Sequence, residues 1–146
     1  MILRNMRSAD YDQAYALWLS CKGMGINAHD DSRTGIERFL RRNGTTCFVA
    51  EEEGTIIGTI LAGHDGRRGY IYHMAVSPSC RRRGIGRALT EAALSALREE
   101  GVLKVGLLVY ETNAAGNAFW EQMGFSRRED VAYRNRILGD MSRAEP

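Results

Sequence analysis

The sequence predicts an α/β protein in which a mixed sheet of about six to seven strands carries four helices on both faces. Three observations lead to this prediction. Residues 70–110 read as strand, helix, strand, a unit whose two strands run parallel through a right-handed crossover. The hairpin pattern over residues 46–63 adds antiparallel pairs. Apolar residues also recur at helical spacing in four separate segments.

The N-terminal part of the chain reads as one strand followed by two helices. Residues 1–7 form the strand, and Ser8 is a suitable N-cap for a helix over residues 9–21. A polar and irregular segment, GMGINAHDD, separates this helix from a second one over residues 32–42. Each helix presents one apolar side to a core.

Strands dominate the middle of the chain. Residues 46–51 and 55–63 flank the turn Glu52-Glu53-Gly54 and read as a hairpin. Residues 70–76 form a third strand, which Pro78 stops because proline cannot donate a ladder hydrogen bond.

Two helices and three strand-like segments make up the rest. A helix over residues 87–100 is followed by a strand over residues 104–110, and Asn113 or Thr112 then caps a helix that ends at Met123. Short strand-like segments cover residues 125–127 and 131–138. No repeat, linker or low-complexity stretch interrupts the pattern, so we expect a single domain over residues 1–146.

The composition is that of an ordinary globular protein of 146 residues, with a net charge of only +2. This balance gives no general attraction to nucleic acid, and no apolar run is long enough to span a membrane. The three cysteines, Cys21, Cys47 and Cys80, have no metal-ligand or CxxC spacing. We therefore expect reduced thiols, a cytoplasmic location, no metal, and neither nucleic acid nor a membrane as partner.

The segment SPSCRRRGIGRAL, residues 77–89, leads from a predicted strand into a helix. The first N–H groups of a helix have no intrahelical partner and the helix dipole is positive there, so this place favours an anion such as phosphate. Gly84 and Gly86 let a phosphate approach the main chain, and four arginines surround them with charge. The spacing fits neither a P-loop nor a dinucleotide fingerprint. From these residues alone, a solvated basic turn stays open as an alternative.

Two segments resemble motifs of the GNAT superfamily of N-acetyltransferases. MAVSPSCRRRGIGRALTEAAL, residues 74–94, is similar to the acetyl-CoA-binding motif, in which a strand ending in apolar-x-Val-x-Pro runs into [Arg/Gln]-x-x-Gly-x-[Gly/Ala]. LLVYETNAAGNAFWEQMGF, residues 107–125, resembles the segment on the other side of the cofactor. The resemblance covers residues 2–138 and implies a GNAT-like fold. In that fold a bulge splays two parallel strands, here residues 70–76 and 104–110, and CoA lies between them.

The resemblance also implies which residues contact acetyl-CoA. Backbone amides of the arginine–glycine loop are expected to hold the pyrophosphate, and an N–H group of Met74 or Val76 to stabilise the oxyanion formed from the thioester carbonyl. Asn113 matches an asparagine that helps to hold the cofactor, although the N-cap role suits it equally. The implied cofactor residues are Met74, Ala75, Val76, Arg81, Arg82, Arg83, Gly84, Ile85, Gly86, Arg87 and Asn113.

The chain departs from a common pattern of the family at two positions. Ribosomal-protein alanine acetyltransferases place a tyrosine acid and a glutamate base where this chain has Trp120 and Leu108. Tyr133 is the first candidate for the acid that protonates the leaving thiolate, and Tyr110 is the second. A thiolate can also leave unaided, because a thiol pKa of about 8.5 makes it a fair leaving group.

The general base is open among several residues. Glu111 stands at the end of a predicted strand, and His73, a type of residue that titrates near neutrality, directly precedes Met74. Asp30 and Asp31 lie in the loop before the second helix, where they are also candidate contacts for a cationic substrate. Adjacent aspartates before a helix also serve as ordinary capping residues.

The sequence thus predicts an acyltransferase that transfers the acetyl group of acetyl-CoA to a primary amine of a small molecule, peptide or protein, by direct attack in a ternary complex. Trp120 and Leu108 prompt the alternative of a CoA-binding module with weak or no catalysis. A basic nucleic-acid-binding domain, prompted by the three arginines, is disfavoured by the balanced charge. Members of the family often dimerise through sheet edges, so a homodimer is a further expectation.

Overall fold

A computed structural model of the chain describes residues 1–141. It is an α/β fold, as predicted, with seven strands and four α-helices in the described residues. The strands are β1 (Ile2–Asn5), β2 (Phe48–Glu52), β3 (Thr55–Ile60), β4 (Ala62–His64), β5 (Gly69–Ile71), β6 (Ala75–Val76) and β7 (Val105–Leu107). The helices are α1 (Tyr11–Ser20), α2 (Arg33–Arg42), α3 (Ile85–Glu99) and α4 (Ala114–Gln122). None of these helices is long and apolar enough to cross a membrane.

The strands form two sheets. The first has the order β1-β2-β3-β6 and is antiparallel throughout. The second has the order β4-β5-β7, in which β4 and β5 are antiparallel and β5 and β7 are parallel. Helix α3 lies between β6 and β7 in the chain and provides the crossover, so the predicted combination of parallel and antiparallel pairing is confirmed.

A β-bulge divides two of the predicted strands. Leu61 donates its N–H to the carbonyl of His73 (3.2 Å) and accepts from the N–H of Tyr72 (2.9 Å), so one residue lies opposite two. The pairing register shifts by one residue across this point. The strand predicted over residues 55–63 is therefore β3 and β4, and the strand predicted over residues 70–76 is β5 and β6.

The two short strands predicted near the C-terminus are not present. Residues 125–127 and 131–138 carry no strand in the structure, although they lie within its described residues. Local ion pairs hold the polar residues between them, since the guanidinium of Arg128 donates to both carboxylate oxygens of Asp130 (2.7 and 2.9 Å). A segment with an alternating pattern forms a strand only where it pairs with the edge of a sheet, and residues 125–127 and 131–138 make no such pairing.

Helices cover both faces of the first sheet. Neighbouring residues of a strand point to opposite faces, and β2 shows this directly because Val49 belongs to one buried apolar cluster and Ala50 to the other. The first cluster contains Trp18 of α1 and Ile36 of α2, whereas the second is filled by α3. The predicted placement of helices on both faces is confirmed.

Candidate active site

Two parallel strands separate near the centre of the molecule and open a cleft. β5 and β7 remain paired as far as Ile71 and Leu107. Beyond that point, residues 72–76 and 108–110 contribute to the walls of a cleft of about 1050 Å³, named here the central cleft. With the exception of Arg83, every residue that the sequence assigns to the cofactor lines it.

The strand on one side of the central cleft has backbone groups that its own sheet does not use. The N–H of Ser77 donates to the carbonyl of Ile57 in β3 (2.8 Å), and Ala75 lies opposite Thr59 in the same strand. Because backbone groups alternate in direction along a strand, the N–H groups of Met74 and Val76 point away from β3 and toward the cleft. A ligand in the cleft can therefore pair with this strand.

The start of α3 forms one end of the central cleft. Gly84 has φ +77°, a left-handed conformation that favours glycine, and the preceding Arg82 has φ +65°. The first helical bond runs from the N–H of Ala88 to the carbonyl of Gly84 (3.0 Å), so the N–H groups of residues 85–87 precede the helical ladder. A Cβ at Gly86 would lie 3.4 Å from the ring of Phe119, so the loop packs in van der Waals contact with α4. These free amides and the positive end of the helix dipole suit an anion.

The consecutive arginines have different environments. Arg81 and Arg82 line the central cleft, and Arg81 Nε donates to the carbonyl of Val76 (3.4 Å). Arg83 turns away and forms a two-pronged pair with the Glu52 carboxylate (3.2 and 2.5 Å). The hydrogen bond from Arg83 lowers the pKa of Glu52. Two of the three arginines are thus directed to the cleft, and the third joins the α3 loop to β2.

Asn113 combines the two roles that the sequence left open. Its side-chain oxygen accepts a hydrogen bond from the N–H of Gly116 (2.9 Å), which makes it the N-cap of α4. The residue also lines the central cleft. Its amide is thus held in a fixed orientation at the edge of the cleft.

The two tyrosine candidates for the acid both lie along the central cleft. Tyr133 and Tyr110 are each 65% exposed, so their hydroxyl groups are open to a ligand. Burial, together with the nearby hydroxyls of Tyr133 and Tyr72, raises the pKa of Tyr70 to about 12. Trp120 also lines the cleft but packs edge-on against Phe125.

The candidates for the general base differ in their position relative to the central cleft. His73 lines the central cleft, and its Nε2 lies 2.8 Å from Oδ1 of Asp31. Asp30 is exposed and pairs with His29 (3.2 Å). Glu111 does not line the cleft and forms an ion pair with Arg127. Of these groups, the structure brings together His73 and Asp31 and leaves the other two apart.

The loop between α1 and α2, in which the sequence offers Asp30 and Asp31 as substrate contacts, forms part of the cleft through other residues. Cys21, Lys22 and Met24 line it, and Gly25 approaches the hydroxyl of Tyr110, which would lie 3.6 Å from an added Cβ. These residues belong to no motif, and the packing of α1 against β3 and β6 places them there.

Comparison with known proteins gives consistent results. Residues 11–125 match the model of the family described as acetyltransferase (GNAT) family. An acetyltransferase of Yersinia pestis (strain Pestoides F) is 29% identical over 140 residues, which cover 96% of this chain and 98% of that protein. The PaiA N-acetyltransferase of Thermoplasma acidophilum, solved in complex with coenzyme A, superposes with a TM-score of 0.76 at 18% identity, covering 89% and 92% of the two chains. The ribosomal-protein-S18-alanine N-acetyltransferase of Escherichia coli superposes with a TM-score of 0.71 at 23% identity, covering 87% and 78%.

Proposed function

Because the chain belongs to the GNAT family of acetyltransferases, we propose that it is a single-domain enzyme that acetylates a primary amine with acetyl-CoA as co-substrate. The acceptor is a small molecule or an amino group of a peptide or protein. The observation that carries the proposal is the central cleft, which joins an anion-binding helix start to a strand with free backbone groups. The coenzyme A complex of the Thermoplasma acidophilum neighbour supports it.

The residues of the central cleft fit the parts of acetyl-CoA. The amides of residues 85–87 and the side chains of Arg81 and Arg82 suit its pyrophosphate. The N–H groups of Met74 and Val76 suit its amide-containing arm and the thioester oxygen. When bound, acetyl-CoA supplies an activated acyl group, and the protein orients it for attack by the amine.

Calorimetry with acetyl-CoA tests the cofactor part of the proposal. Replacement of Gly84 by Glu strains the left-handed backbone and places a negative charge at the helix start. We expect the affinity to fall by about 100-fold or more, since like charges at close range cost several kcal/mol. Gly106→Glu is the matched control, because Gly106 lies outside the cleft lining and its added Cβ would meet no atom within 4 Å.

Wild-type protein that binds acetyl-CoA more weakly than roughly 100 µM would contradict the proposal. A thiol-release assay with panels of small amines and peptides then tests catalysis. Trp120 and Leu108 favour one alternative, a CoA-binding module without efficient catalysis. Tight binding of acetyl-CoA with no turnover across both panels would support that alternative.

We propose further that two copies of the chain pair along β7. Within residues 1–141 this strand pairs with β5 alone, so its other edge presents unpaired N–H and carbonyl groups. Three aliphatic residues are exposed: Leu103 (89%), which precedes β7 by two positions, and Ile137 (66%) and Leu138 (92%) in the C-terminal segment that forms no strand. A second copy that adds its own strand or segment here would cover both the edge and the apolar side chains.

A further inference from the structure

We propose that His73 is the general base of the acetyl transfer and that Asp31 positions its ring. The proposal rests on the acetyltransferase function proposed above and adds the group that removes the proton from the amine. Its starting point is a contact between residues 42 positions apart in the chain, with His73 Nε2 2.8 Å from Asp31 Oδ1. Both side chains are largely buried, with exposed fractions of 11% and 8%.

The Asp31 carboxylate fixes which nitrogen of His73 carries the proton. A carboxylate only accepts hydrogen bonds, so the proton of the neutral imidazole lies on Nε2 and the lone pair on Nδ1. The second carboxylate oxygen, Oδ2, accepts from the N–H of Asn27 (2.7 Å). Each oxygen of the Asp31 carboxylate thus has a partner, and Oδ1 is the one that contacts His73.

The remaining nitrogen of His73, Nδ1, is open to solvent. No protein atom of residues 1–141 is hydrogen-bonded to Nδ1. The described residues contain no buried side-chain nitrogen or oxygen without a partner, so Nδ1 is reached by solvent. His73 lines the central cleft next to Met74, and in this proposal the open nitrogen lies on the cleft.

Packing holds the pair in one geometry. The fully buried ring of Trp18 lies against the His73 ring, with centroids 4.9 Å apart. The hydroxyl of Tyr11 donates to the backbone carbonyl of Asp31 (2.6 Å), which anchors the loop before α2. A base held in this way needs no reorientation when the substrate binds.

The proposed step balances as follows. The substrate ammonium gives one proton to Nδ1 of His73, and the resulting neutral amine forms a C–N bond with the acetyl carbon while the C–S bond to CoA breaks. The nitrogen then loses its second proton as it becomes an amide, and this proton ends on the CoA sulfur. The His73 imidazolium returns its proton to water, so the products are the N-acetyl compound, CoA and one proton.

Several other titratable groups surround the cleft. Asp31 reaches His73 from the loop before α2, and Cys21 and Lys22 line the cleft from the loop after α1. The remaining titratable residues of the lining are Tyr70, Tyr72, Cys80, Arg81, Arg82, Arg87, Tyr110 and Tyr133. Among these groups in the described chain, Asp31 is the one hydrogen-bonded to the imidazole.

His73→Gln tests the base. The glutamine amide can still donate to Asp31 but cannot accept a proton, so we expect kcat to fall by about 100-fold or more. The loss should appear in kcat and leave the KM for the amine unchanged. Acetyl-CoA affinity measured by calorimetry should stay within about twofold. His64→Gln is the control histidine, because His64 lies outside the central cleft, beside Glu100.

Asp31→Asn tests the positioning role. Removal of the carboxylate leaves the ring orientation and tautomer of His73 unfixed, so kcat should fall while the KM for the amine stays unchanged. A change in KM with an unaltered kcat would instead indicate a substrate-binding or structural role and would overturn this part of the proposal.

The tautomer of His73 gives a test that needs no activity. Long-range proton–nitrogen NMR of the wild-type protein should show the proton of the neutral His73 imidazole on Nε2. A proton on Nδ1 would overturn the dyad whatever the kinetics. A wild-type kcat in His73→Gln would also overturn it and leave the acetyltransferase function standing. Lack of turnover by the wild type would contradict the proposed function instead.

Discussion

Arg4 of β1 joins three parts of the chain through its guanidinium group. Nη1 and Nη2 donate to the two carboxylate oxygens of Asp10 (2.9 and 2.8 Å), and Nε and Nη2 donate to Glu51 of β2 (3.0 and 2.8 Å). Asp10 is buried, at 7% exposure, and its Oδ2 also accepts from the N–H of Arg7 (2.8 Å). Burial alone would raise the pKa of Asp10, but the hydrogen bonds from Arg4 and Arg7 outweigh it and the pKa is lowered.

Arg4→Met should therefore leave a buried carboxylate with too few partners. We expect the free energy of unfolding at pH 7 to fall by about 2 kcal/mol. This is less than the roughly 3–5 kcal/mol lost when a fully buried ion pair is broken, because the Arg4 side chain is 23% exposed. A group whose pKa is lowered on folding adds stability above its unfolded value of about 3.9, and that stability is lost as pH falls through the folded value. The difference in free energy of unfolding between Arg4→Met and the wild type should accordingly become smaller below about pH 4.

Urea denaturation at neutral and acidic pH measures both effects. Arg128→Met is the matched control, since it removes an equally short pair with Asp130 in which both side chains are exposed. That variant should change stability by less than about 0.5 kcal/mol at either pH. An Arg4→Met variant with the same small effect would show that the Asp10 network contributes no net stability.

The placement of residues at the cleft was predictable when their signal was local in sequence. Gly84 and Gly86 lie within one loop, and the family resemblance added Met74 and Val76; all four line the cleft. The contact of His73 with Asp31 could not be predicted, because it depends on how the loop before α2 packs on the strand. Each residue was a candidate by its type, and the pairing came from tertiary structure alone.

The starts of two helices followed from capping residues. Ser8, predicted to cap the first helix, instead begins a 3₁₀ turn over Ser8–Asp10, and α1 starts at Tyr11 with no side-chain cap. Ser32 accepts from the N–H of Gly35 (3.0 Å) and Asn113 from that of Gly116 (2.9 Å), so α2 and α4 begin close to where the sequence predicts. Strand bounds were less accurate. The bulge opposite Leu61 is a property of the paired strands, and neither strand shows it by periodicity; it was expected only through the family resemblance.

The packing of α3 against the sheet depends on Gly58 of β3. A Cβ at Gly58 would lie 2.9 Å from Cδ1 of Leu89 and 3.1 Å from Cγ2 of Ile85, and both side chains are fully buried. Gly58→Ala should therefore push the start of α3 away from the sheet and lower the free energy of unfolding by about 1–3 kcal/mol. Because the same helix start forms one end of the cleft, acetyl-CoA should also bind more weakly.

Gly106→Ala provides the comparison for this substitution. Gly106 also lies in a strand, but nothing is within 4 Å of its added Cβ, so its replacement should be neutral or stabilise by up to about 1 kcal/mol. Chemical denaturation and calorimetry of the two variants measure the contrast. If Gly58→Ala and Gly106→Ala had the same free energy of unfolding, α3 would accommodate the methyl group at Gly58 without loss of stability.

The architecture of the whole molecule was largely predictable, and its C-terminal end was not. The parallel pair around α3 and the antiparallel strands before it follow from the order of elements and from right-handed crossover. Residues 131–138 have a strand-like pattern but form no strand. The outer edge of β7 has no strand partner among residues 1–141. A strand-like segment and an open edge in one chain are what the proposed pairing of two copies would use.

Light scattering coupled to size exclusion should therefore give a mass of about twice 16.3 kDa for the wild-type protein. The double variant Leu103→Lys, Leu138→Lys places two charges on side chains that are 89% and 92% exposed, so the chain should still fold. In a dimer those charges would be buried at the interface, and the mass should fall to that of one chain. Leu19→Lys is the matched control, since Leu19 is 63% exposed on α1 and should leave the dimer intact. A single-chain mass for the wild type, or an unchanged dimer in the double variant, would show that the exposed edge of β7 is not the interface.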